Sequence, residues 1–144
     1  MHATLISSMH TLSAYLVEDS PVIRQSLISA LEELSQVNVV GTSEDEGSAV
    51  SWLSDANHKV DLVITDIFLK AGSGLGVLRR IHALALGCKL VVLTNYATTD
   101  MRQRCLELGA DRVFDKSNDI DALVNYCGRL NGGYVDTAPL GLPQ

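Results

Sequence analysis

Hydrophobic positions along the chain follow two alternating patterns. Short unbroken apolar runs, Ala14-Tyr15-Leu16-Val17, Leu62-Val63-Ile64-Thr65, Leu90-Val91-Val92-Leu93 and the briefer Val113-Phe114, read as strands, and near-continuous runs of this kind suit strands buried on both faces of a parallel sheet. Val37-Asn38-Val39-Val40 supplies another strand. Between them lie stretches of helical period. Ser20 followed by Pro21 marks an N-cap and first helical position, after which Ile23, Leu27, Ala30, Leu31 and Leu34 share one face. Ser43-Glu44-Asp45-Glu46 has the spacing of a capping box and predicts a helix running through Trp52 and Leu53. A helix over about residues 75–86 is expected to stop at Gly87, one opened by Asp100 to stop at Gly109, and a last one to cover residues 119–130. Strands alternating with helices in this way predict an α/β fold, a doubly wound five-stranded parallel sheet with helices on both faces. Residues 1–12 then form an N-terminal extension, residues 13–130 the domain, and residues 131–144 a flexible tail released by Gly132-Gly133.

Composition narrows the classes of function. With 144 residues the chain suits one domain with a single core. The 17 Asp and Glu against 11 Lys and Arg give a net charge of −6, which removes the basic footprint that nucleic-acid binding requires and directs attention to protein partners. The first 13 residues lack a basic start and an unbroken apolar stretch, so no secretory signal is expected, and no run is long enough for membrane insertion. Cys88, Cys105 and Cys127 have neither metal-type nor CxxC spacing and read as reduced thiols of a cytoplasmic protein. His2, His10, His58 and His82 show no ligand spacing, and Gly72-Ser73-Gly74-Leu75-Gly76 departs from the GxGxxG dinucleotide fingerprint.

The chemistry lies where the apolar runs end. They lead into Glu18-Asp19, Asp66, Thr94 and, through Asp115, Lys116. Ligands of an open parallel sheet bind beyond the carboxyl ends of its strands, so these endings are expected to share a pocket. Three carboxylates brought together need compensation. One lysine and one Mg²⁺ bring the sum to zero, and Mg²⁺ commonly takes one or two carboxylates, waters and a phosphate oxygen. A metal site alone has no need of Thr94. A hydroxyl and an ammonium beside a carboxylate make sense if Asp66 becomes an acyl phosphate, because the transferred oxygens need donors and a cation.

On these residues the chain resembles the receiver domain of two-component response regulators, over residues 13–130. Leu108-Gly109-Ala110-Asp111 and Asp66-Ile67-Phe68-Leu69 add to the likeness. The resemblance implies a flavodoxin-like strand order 2-1-3-4-5. It implies that Asp66 is phosphorylated by a histidine kinase or histidine phosphotransfer protein. It also implies that Asp19, Asp66 and the Phe68 backbone carbonyl ligate Mg²⁺ while Glu18 assists through water, and that Thr94 and Lys116 contact the phosphoryl group. A stand-alone single-domain regulator is expected. Two departures stand out: Ser117 occupies a position where many receivers have proline, and Val113 one where an aromatic switch residue is common, with Phe114 expected on the opposite side of the strand.

Further expectations concern the surroundings of the pocket. Val22, Ile23 and Ser117 should flank it as a docking surface for the phosphodonor protein. Phe68 and Tyr96 should stand at its rim and obstruct the water that hydrolyses an aspartyl phosphate. The enzyme alternative, a haloacid-dehalogenase-type phosphatase, needs an aspartate two residues after the nucleophile, where Phe68 stands. A phosphate-independent pseudo-receiver is the remaining alternative.

Overall fold

The computed structural model describes residues 11–132, so the expectations for residues 1–10 and 133–144 lie outside the described residues. Five strands, β1 (Leu12–Val17), β2 (Val37–Ser43), β3 (Leu62–Thr65), β4 (Lys89–Thr94) and β5 (Arg112–Asp115), alternate with five helices, α1 (Pro21–Leu34), α2 (Glu46–Leu53), α3 (Gly74–Leu84), α4 (Thr99–Glu107) and α5 (Ile120–Leu130). All pairings are parallel, in the order β2-β1-β3-β4-β5. The expected doubly wound sheet is therefore present.

Strand alternation sorts the core into two layers. Tyr15, Val17, Val63 and Val92 pack with residues of α2, α3 and α4 on one face, whereas Ala14, Leu16, Ile64, Val91 and Leu93 pack with α1 and α5 on the other. Val113 and Phe114 divide in the same manner between the two layers. Buried on both faces, β1, β3 and β4 occupy the sheet centre, which is why their runs carry almost no polar residue.

Local details depart from the sequence reading where side chains found other partners. Ser43 does not cap α2. Its hydroxyl is hydrogen-bonded to the buried Tyr15 phenol, and Asp45 is the N-cap, accepting from the Ser48 amide at 2.8 Å. Thr98, rather than Asp100, caps α4 by accepting from the Met101 amide at 3.1 Å. Helix α3 stops before Gly87 because Ala85 already turns left-handed, with φ 50°. Leu34, assigned to the buried stripe of α1, is 69% exposed as the last residue of the helix; Leu27 and Leu31 carry the burial.

Candidate phosphoacceptor site

The strand ends converge as the topology requires. β1 lies between β2 and β3, and the strand order reverses there, so the residues after β1, β3 and β4 open onto one crevice. The backbone welds these ends together: the Asp66 amide donates to the Val17 carbonyl at 3.0 Å, the Glu18 amide to Ser43 at 2.9 Å and the Lys116 amide to Thr94 at 3.0 Å.

Lys116 is the hub of the side chains. Its Nζ lies 2.6 Å from Asp66 Oδ2 and 2.7 Å from Glu18 Oε1, with all three side chains nearly buried. Burial by itself would lower the lysine pKa, but the hydrogen bonds and charges of Asp66 and Glu18 outweigh it and hold the ammonium above the usual lysine value. The second oxygen of each carboxylate is taken by backbone: Asp66 Oδ1 accepts from Ile67 at 2.6 Å and Glu18 Oε2 from Ser20 at 3.0 Å. Asp19, next to this pair, is partly exposed.

Thr94 is fully buried, and its Oγ1 accepts from the Tyr96 amide at 3.1 Å. A hydroxyl used as an acceptor retains its own proton for donation. Phe68 and Tyr96 are 55% and 58% exposed and meet edge to face, with centroids 5.1 Å apart. Val113 is buried in the α2–α3–α4 layer and provides no ring or hydroxyl there. Ser117 is exposed, and no cis peptide bond occurs among the described residues.

The loop after Asp66 is held by means the sequence reading missed. A Cβ on Gly74 would sit 1.8 Å from the Asp66 carbonyl oxygen, so this close approach excludes any other residue. Glu46, at the start of α2, accepts from the Ser73 amide at 3.0 Å and pairs with Arg80 at 3.3 Å. Arg24 donates to the Glu18 carbonyl at 2.7 Å and faces Glu44 at 3.5 Å, fixing the turn after β1. A lone arginine early in a helix that follows an acidic strand end was the available signal for it.

Among the described residues, no group of three or more His, Cys, Asp or Glu forms a ready-made metal cluster. The donor chemistry nevertheless fits a hard divalent cation with few protein ligands: carboxylate oxygens of Asp19 and Asp66 lie at adjacent strand ends, and one ammonium offsets only part of the acidic charge. Beside the pocket, a groove of ≈ 310 Å³ between α1 and α5 is lined by Val22, Ile23, Ala30, Asn95, Lys116 and Ile120, among others. Val22 is 76% exposed. No helix of the described residues is long and apolar enough to cross a membrane.

Comparison with known proteins agrees with this geometry. The response regulator receiver domain family matches residues 14–127. The Fimbriae Z protein of Salmonella typhimurium is 26% identical over 126 residues, covering 88% of this chain and 59% of that protein. The transcription regulator BvgA of Bordetella pertussis is 28% identical over 121 residues, covering 83% of the chain and 56% of its own length. The chain thus spans little more than half of these relatives. Among solved structures, the signal receiver domain of the response regulator NarL from Mycobacterium tuberculosis superposes with a TM-score of 0.76 at 19% identity, over 87% of this chain and 99% of that one.

Proposed function

Because the chain belongs to the response regulator receiver domain family, and so to two-component signalling, we propose that Asp66 accepts a phosphoryl group from a phosphohistidine of a histidine kinase or histidine phosphotransfer protein. The observation that carries this reading is the Asp66 carboxylate held 2.6 Å from the Lys116 ammonium, at the crevice where Thr94 and the Glu18-Asp19 turn also end. A carboxylate oxygen of Asp66 forms the new O–P bond as the N–P bond of the phosphohistidine breaks. The bonding pair returns to the imidazole, which takes up a proton. Lys116 keeps its proton throughout and faces the phosphoryl oxygens, and Thr94 turns toward the group and donates its own hydroxyl proton to one of them. Asp19, Asp66 and the Phe68 carbonyl would hold Mg²⁺, with Glu18 acting through water; the ion would offset charge on the transferred group. Moving Thr94 and its loop shifts the balance between two arrangements that protein partners read.

The decisive experiment is intact-mass analysis after acetyl phosphate and Mg²⁺. Wild type gains one phosphate, and Asp66→Asn or EDTA prevents the gain. A phosphate on Asp66→Asn refutes the assignment. Docking of the phosphodonor protein on the α1–α5 groove has a separate measurement: Val22→Asp slows transfer from that protein while acetyl phosphate labelling stays near wild type, and equal loss with both donors refutes docking there.

A further inference from the structure

Arg102 of α4 makes contacts that neither the phosphoacceptor chemistry nor the packing of α4 requires. Its Nε donates to the Ala97 carbonyl at 3.0 Å, Nη1 donates to the Val113 carbonyl at 2.8 Å, and Nη2 faces Asp119 Oδ2 at 3.6 Å. The planar fork of a guanidinium is suited to holding several acceptors in one fixed arrangement. These acceptors belong to the two segments that carry Thr94 and Lys116. Ala97 is three residues beyond Thr94, in the loop leading to α4. Val113 is in β5, and Asp119 Oδ2 accepts from the Asp115 amide at 2.8 Å, immediately before Lys116. Asp119 makes no side-chain cap bond to α5, so its carboxylate serves this junction instead.

Valine at position 113 adds to the importance of this fork. It has no ring to follow a displaced threonine, and it is buried in the α2–α3–α4 layer. Beyond the Lys116–Thr94 ladder bond, the side-chain hydrogen bonds described between the loop after β4 and the end of β5 are an exposed Ser117–Asn95 contact at 3.3 Å and the Arg102 fork. The Arg102 bonds are charge-assisted and partly buried, which makes them the stronger link.

We propose that Arg102 is a positioning residue that couples the Thr94 loop to the Lys116 strand end, so that displacement of one is transmitted to the other and to α4. The proposal rests on the reading of Asp66 for its biological use, but the coupling itself exists without phosphate. When Thr94 turns toward the phosphoryl group, the Tyr96 amide bonded to its Oγ1 and the loop carrying Ala97 shift with it. The guanidinium then either follows Ala97 and releases Val113 and Asp119, or draws β5 and the start of α5 along with it.

The test is amide hydrogen exchange in residues 95–104 and 112–120, with a double-mutant design. Thr94→Ala removes the Oγ1 contact and lowers protection in 95–104; transmitted through Arg102, it also lowers protection in 112–120, by several fold. In an Arg102→Lys background, where one ammonium cannot hold three acceptors, Thr94→Ala changes 95–104 and leaves 112–120 unaltered. Arg102→Lys preserves charge and folding, which is checked by its urea midpoint, and Arg102→Ala repeats the comparison without charge. If Thr94→Ala alters 112–120 equally in the wild-type, Arg102→Lys and Arg102→Ala backgrounds, the coupling is refuted. The same proteins are weighed after acetyl phosphate treatment. Absence of a phosphate on wild type would overturn the Asp66 reading and leave the exchange result for Arg102 standing.

Discussion

The two edges of the sheet put acidic residues to different uses. At the amino-terminal edge, Asp61 precedes β3 and Asp111 precedes β5; each carboxylate accepts one backbone amide from a neighbouring strand, Ser13 at 2.9 Å and Leu90 at 2.8 Å. Their own backbones complete the exchange, with the Asp61 amide bonded to Ser13 and the Asp111 amide to Leu90. At the carboxyl-terminal edge, Glu18 and Asp66 are also held by backbone amides, yet both turn a second oxygen to the same ammonium. Acidic residues beside strands are therefore not in themselves a sign of chemistry. The distinction is pooled charge: the lower edge satisfies each carboxylate separately, whereas the upper edge crowds carboxylates around a single cation and so favours any ligand that redistributes the charge.

Removing the hub puts the greatest strain on this contrast. Lys116→Met leaves two nearly buried carboxylates without their counter-charge and should destabilise the fold by about 3 kcal/mol, within the range for breaking one side of a buried pair. Urea unfolding measures this loss, and Mg²⁺ should restore part of it in the variant. A loss no larger than that of a surface substitution would show that the ammonium is not the electrostatic centre of the upper edge.

Acidity adds a second measurement of the same site. Lys116 is raised above its unfolded value, so the folded state binds the proton more tightly. Its contribution is fully present below the unfolded lysine pKa of about 10.4 and is lost as pH rises through the folded value. The stability difference between wild type and Lys116→Met should accordingly stay level across neutral pH and shrink only in strong alkali. A difference that already vanishes near neutrality would contradict the assignment.

A smaller effect is expected at the lower edge. Asp111→Ala removes one acceptor from the Leu90 amide and should lower stability by about 1 kcal/mol, the usual worth of one hydrogen bond, while acetyl phosphate labelling is unchanged. Impaired labelling would mean that the two edges are not independent. The smallest effect belongs to the rim. Phe68 and Tyr96 shield one another edge to face, so Phe68→Asn or Tyr96→Ala should speed decay of the phosphorylated protein by a few fold, less than the roughly 1.4 kcal/mol that a tenfold change represents. If both variants decay at the wild-type rate, the ring pair does not shield the acyl phosphate.

Much of this organisation follows from the order of residues alone. The unbroken runs of β1, β3 and β4 dictate burial on both faces, the alternation with helical periods dictates parallel pairing, and the parallel winding sends Glu18, Asp66, Thr94 and Lys116 to one edge. These are local patterns, and local patterns can be read along a chain. Partner choice cannot, because it depends on residues far apart in sequence. Ser43 has the spacing of a capping residue but bonds the Tyr15 phenol, since parallel pairing of β1 with β2 brings that hydroxyl within reach first. Leu34 keeps the helical period of α1 yet is exposed at the helix's last position, where no neighbour covers it. Glu46 reads locally as the acid of a capping box and Arg102 carries no signal in its own segment; Glu46 instead acquires its role from Ser73, 27 residues later, and Arg102 from the Val113 carbonyl of β5. Periodicity determined which residues face inward, and only the folded arrangement decided which polar groups answer one another, because a hydrogen bond is won by whichever partner the packed backbone places within about 3 Å.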